Sequence, residues 1–155
     1  MRERGAVPVG SMDALPEAEA RMIRYLRQWF SGPDAKAMMW NDLATRLGPD
    51  RAREGLRQFE ALLHLALDHG RRPLMRHGLE CACVGADEAV FAQFIETARA
   101  GEREDAGLLA MLLLRSDIAL VAVTLAEEVG HLLSGPFIPT EAPAKASSAQ
   151  DRYLH

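Results

Sequence analysis

The sequence predicts an all-α fold, a compact bundle of about six helices, and two observations predict it. Composition is the first: 25 alanines and 21 leucines stand against 4 isoleucines, 7 valines and 4 threonines. That balance favours helix, because β-branched side chains lose rotamer freedom against the preceding helical turn. Periodicity is the second, since apolar residues recur at intervals of three and four between Gly and Pro punctuation marks. At 155 residues with 48% hydrophobic and 26% charged side chains, the chain can bury one substantial core.

A first helix is predicted from Leu15 or Pro16 to Phe30, with Leu15, Met22, Leu26, Trp29 and Phe30 on one face. Gly32-Pro33 interrupts it, and a second helix from Asp34 to Leu47 turns Met39, Trp40, Leu43 and Leu47 inward. Gly48-Pro49 ends that helix. The third, Asp50 to His69, is the most regular, its inner face reading Ala52, Leu56, Phe59, Leu63, Ala66 and Leu67, and Gly70 stops it.

From Arg71 to Gly85 the periodicity fails and an ordered loop is expected, with Leu79 to Val84 extended but too short to make a sheet alone. Asp87 is read as the cap of a fourth helix reaching Ala100, which buries Val90, Phe91, Phe94, Ile95 and Ala98. The stretch Glu104 to Leu133 splits at Arg115-Ser116-Asp117 into two helices. The second of these carries a main stripe of Ile118, Val121, Leu125, Val129 and Leu132, with Leu120 and Val123 opposite. Residues 1–14 are expected to form a flexible arm, 15–134 the helical domain, and 135–155 a flexible tail rich in Ala, Pro and Ser.

Charge and cysteine usage narrow the function. A formal net charge of -4 offers no global positive field for nucleic acid. The segment Leu43 to Ala52 is superficially similar to a helix-turn-helix, but Glu54 and Arg57 fall where such a motif needs apolar residues. No apolar run reaches the roughly 20 residues that span a bilayer, and no export signal is visible, so a cytoplasmic protein is expected. Two cysteines one residue apart provide no disulfide framework. No glycine-rich phosphate loop or nucleophile elbow is present either, which leaves catalysis without positive support.

One polar constellation stands out, the run from His77 to Glu88, which holds both cysteines. His77, Cys81 and Cys83 are candidate metal ligands, with a fourth from Glu80, Asp87, His64 or His69. Thiolates and a neutral imidazole suit zinc, but the single-residue spacing weighs against it, and packing of both cysteines as small hydrophobes is the stronger expectation. The same residues permit a thiol-redox reading, with Arg71, Arg72, Arg76 and His77 close by to favour a thiolate. Arg71, Arg72 and Arg76 are also candidate anion ligands, because guanidinium groups grip phosphate and carboxylate in a bidentate way.

Two further patterns, Glu128 with His131 and Glu60 with His64 and Asp68, each fall short of a di-iron set. The leading expectation is a helical module that binds a protein partner or itself as a homo-oligomer, because the last two helices are apolar around most of their circumference.

Overall fold

The computed structural model describes residues 2–134 and bears out the all-α bundle. A short helix α1 (Arg2–Ala6) leads into strand β1 (Pro8–Ser11) and a 3₁₀ turn over Met12–Ala14. The six longer helices are α2 (Glu17–Phe30), α3 (Pro33–Leu47), α4 (Pro49–His69), α5 (Ala86–Arg99), α6 (Arg103–Leu113) and α7 (Ala119–Val129). A second strand, β2 (Cys83–Gly85), precedes α5, and a π-helical turn over Gly130–Ser134 follows α7. The predicted tail, residues 135–155, lies outside the described residues.

The punctuation is physical. Gly32 and Gly48 take φ of 98° and 86°, the left-handed region that only glycine enters freely, and each is followed by a proline at the first helical position. Helix α5 is the central element, packing against α2, α6 and α7. The core it organises includes Phe59 of α4, which meets Phe91 of α5 edge to face with ring centroids 6.1 Å apart.

Three expectations change. Within the segment expected to be a flexible arm, Pro8–Ser11 forms a strand: β1 pairs antiparallel with β2, Ser11 opposite Cys83 and Pro8 opposite Gly85. The partner strand lies more than seventy residues away, so no local pattern could announce the pairing. Leu67, placed on the inner face of α4, is instead exposed. The stripe of α7 is also rotated, since Ala119, Ala122, Val123, Ala126 and Val129 are buried while Val121 faces outward. Alanines on that face let α7 approach α5 and α4 closely, and a stripe chosen for large side chains misses them.

Candidate functional site

The loop between α4 and α5 is held by two carboxylates in the first turn of α5. Asp87 and Glu88 sit at a helix N-terminus, where the partial positive charge of unpaired amides favours anions. Asp87 does not cap the helix as expected. Its oxygens take a two-point ion pair from the Arg72 guanidinium, both bonds 2.7 Å, and a third bond of 2.8 Å from the Met75 N–H. Gly85 occupies the cap position, and its N–H donates back to Glu88 at 3.0 Å.

Glu88 is buried opposite Arg27 of α2, which is buried as well. Arg27 Nε and Nη2 each donate to one carboxylate oxygen at 2.8 Å, while Nη1 and Nη2 reach the carbonyls of Cys81 and Cys83 at 2.8 and 2.7 Å. The His77 N–H gives Glu88 a further bond at 2.9 Å. Burial opposes ionisation of Glu88, but the Arg27 bonds, the Gly85 and His77 amides and the Arg27 charge outweigh it and hold the carboxyl below its ordinary range. Arg27 did not stand out in the sequence, and Glu88 did so only as the last residue of the polar run, with no partner assigned to it. The available signal was an arginine at position 27 between the apolar positions Leu26 and Trp29 of an amphipathic helix.

This frame fixes His77, Cys81 and Cys83. The ring of His77 spans two partners: Nε2 lies 2.9 Å from the Ala6 carbonyl of α1, and Nδ1 lies 3.6 Å from Cys81 Sγ. A carbonyl only accepts, so Nε2 carries a proton, and in the neutral ring Nδ1 presents its lone pair to the Cys81 thiol. Cys81 Sγ also accepts the Cys83 N–H at 3.4 Å. The Cys83 thiol is held above the ordinary cysteine range, first by its hydrogen bond to Cys81 and then by the Cys81 charge and burial, with Arg27 opposing. Both cysteines are free and half-buried. The His77 ring also packs on Gly85, where a Cβ would come within 2.9 Å of its Cδ2.

The other candidate residues scatter. Arg71 donates to the Met111 carbonyl at 2.6 Å, Arg72 is engaged with Asp87, and Arg76 stacks 3.8 Å above the Phe30 ring, so each arginine has its own partner. His64 is exposed and meets Trp29 edge to face, while Glu60 accepts the Trp29 Nε1 proton at 2.9 Å. Glu128 and His131 are both exposed. Among the described residues, no three His, Cys, Asp or Glu side chains are grouped so as to hold a metal ion, and no helix is long and apolar enough to cross a membrane.

No protein-family model matches the chain, and no match is found among curated proteins or solved structures.

Proposed function

We propose that this protein is a thiol–disulfide switch, with Cys81 as the attacking thiol, His77 as its proton acceptor and Cys83 as the resolving thiol. The observation that carries the reading is the His77 ring, held through Nε2 by the Ala6 carbonyl with Nδ1 facing Cys81 Sγ. A nucleophile beside a base that a third group orients is the general arrangement for activating a weak nucleophile.

The proton balance follows. Cys81 passes its thiol proton to His77 Nδ1, and the thiolate attacks one sulfur of a low-molecular-weight disulfide RSSR. A Cys81–SR bond forms, the RS–SR bond breaks, and the departing thiolate takes the proton from His77. Cys83 then attacks Cys81 Sγ, the Cys81–SR bond breaks, and the departing thiolate takes the Cys83 proton, leaving the Cys81–Cys83 disulfide and a second RSH. Two protein thiols are oxidised and RSSR is reduced to two thiols. The small ring that results is strained and readily reduced again, which suits a switch more than a staple.

Challenge of the reduced, folded protein with bis(2-hydroxyethyl) disulfide, followed by peptide mapping, tests the reading. The expected course is an adduct first on Cys81, converting to an internal Cys81–Cys83 disulfide. An adduct confined to Cys83, or no adduct on the folded chain, overturns it.

A second reading, self-association, is supported by a separate observation. Leu108 and Leu112, one turn apart on α6, are 63% and 57% exposed, and Leu120 and Val121 of α7 are 70% and 54% exposed. These four apolar side chains are available to a second copy of the chain, and burying a Leu fully contributes roughly 1.5 to 3 kcal/mol. Sedimentation at several concentrations tests it: a concentration-dependent dimer is expected, and a monomer throughout contradicts it.

A further inference from the structure

The N-terminal strand is tied down by the thiol loop itself. The Ala6 carbonyl meets His77 Nε2 at 2.9 Å, the Val7 carbonyl accepts the Ala86 N–H at 2.9 Å, and the Met12 N–H donates to the Ala82 carbonyl at 2.8 Å. Between these bonds β1 lies on β2, with Gly10 opposite Val84 and Ser11 opposite Cys83. All four residues of β1 are exposed, so backbone bonds hold the strand with little help from apolar burial.

Ala82, the one residue between the two thiols, carries the rung to Met12, and a Cys81–Cys83 disulfide has to close through it. Extended residues two apart stand about 6.4 to 6.8 Å between Cα atoms, whereas a disulfide most often spans about 5.5 to 6 Å. Drawing the cysteines together turns the two peptide planes between them. The carbonyls of those planes have unequal holders: Cys81 O accepts from Arg27 Nη1, and Ala82 O accepts from the Met12 N–H. Arg27 is buried and fixed by Glu88, and a bond from a charged donor outweighs a neutral one. Ala82 is exposed and free to turn, so the rung to Met12 is the one that yields.

We infer that oxidation of Cys81 and Cys83 breaks the Met12–Ala82 bond and opens β1 from β2, which makes the N-terminal strand the element that transmits the state of the switch. In the exchange with RSSR the two thiols lose two electrons and two protons, and RSSR leaves as two RSH. A bond present only in the reduced form favours that form, so deleting it favours the disulfide. The inference rests on the thiol-switch reading and adds its output.

Met12→Pro deletes the donor without asking the backbone to move. Ser11 is already extended, with φ -124° and ψ 141°, as the residue before a proline prefers, and Met12 opens a 3₁₀ turn, where proline is tolerated. Met12→Ala removes the same side chain and keeps the N–H. In glutathione buffers of graded thiol-to-disulfide ratio, the equilibrium constant of Met12→Pro is expected to lie at least threefold further toward the Cys81–Cys83 disulfide than that of Met12→Ala. Amide exchange at Met12 in the wild type, read by NMR before and after oxidation, is expected to quicken at least tenfold, with no such change in Cys81→Ser given the same oxidant. A constant in Met12→Pro equal to or below that of Met12→Ala, wild-type exchange that does not quicken, or equal quickening in Cys81→Ser overturns the role of the strand while the disulfide itself stands. A wild type that forms no Cys81–Cys83 disulfide at any ratio overturns the switch reading, and this inference with it.

Discussion

Arg27 and Glu88 stand 61 residues apart in the chain and meet edge to edge in the interior, joined by two bonds of 2.8 Å. The pair does more than join α2 to α5. Four backbone groups of the thiol loop, the Cys81 and Cys83 carbonyls and the His77 and Gly85 amides, bond to the same two side chains. A buried charge pair is stabilising only when its remaining donors and acceptors are satisfied, and here the loop satisfies them. The loop that carries the thiols is thereby ordered from inside the core.

Arg27→Met leaves Glu88 buried without its counter-charge and two carbonyls without their donor. A loss of about 3 to 5 kcal/mol in unfolding free energy is expected, read as a lower urea midpoint. Replacing both partners, as in Arg27→Met with Glu88→Leu, is not expected to restore wild-type stability, because the His77 and Gly85 amides then lose their acceptor as well. Full restoration would show that the loop does not depend on the pair.

The depressed Glu88 carboxyl gives stability a definite pH dependence. Its folded-state pKa lies below the unfolded value, so its contribution is complete above the unfolded carboxylate range. That contribution is lost as pH falls through the folded pKa. Denaturant melts across the acid range should show a steeper loss for wild type than for Glu88→Gln, which cannot titrate there. Parallel acid limbs in the two proteins would refute the assignment.

Gly85 is expected to be intolerant of a side chain for a reason local to the dyad. A Cβ there meets the His77 ring at 2.9 Å from Cδ2 and 3.1 Å from Nε2, so Gly85→Ala displaces the imidazole from Cys81 or from the Ala6 carbonyl. Overpacking of this kind costs roughly 1 to 3 kcal/mol. Thermal melts should register the loss, and peptide mapping should find Cys81 alkylation slowed in the fraction that remains folded. Unchanged alkylation would mean that the ring position is irrelevant to the thiol.

If the α6–α7 face joins two copies, Leu112→Glu places a charge among apolar contacts and should abolish the dimer while leaving the fold intact. Leu112 is more than half exposed, so the monomer pays little for the change. Sedimentation and circular dichroism read the two effects separately, and a dimer that survives the substitution would move the contact elsewhere.

The helices were legible because their boundaries are set locally. Gly32-Pro33 and Gly48-Pro49 each end one helix and open the next, and the inner residues Met22, Leu26, Phe59 and Leu63 follow the helical repeat. The phase of α7 was not legible, because its buried stripe is made largely of alanine, which hydrophobic patterning weighs lightly. The site was half legible: His77, Cys81 and Cys83 could be named from their chemistry. Their tautomer and mutual position depend on Ala6, Arg27 and Glu88, partners supplied by α1, α2 and α5. Contacts between residues so distant in the chain leave no local trace.

The most direct test of the switch is the alkylation rate of Cys81 by iodoacetamide in the folded protein, measured residue by residue in wild type and in His77→Ala. Cys81 is expected to react ahead of Cys83 in wild type, and His77→Ala to slow Cys81 at least tenfold, below the roughly 10²- to 10⁴-fold contribution of general base catalysis. Circular dichroism must show both proteins folded under the same conditions. Equal rates at Cys81 with and without His77 would show that His77 is not the proton acceptor of Cys81.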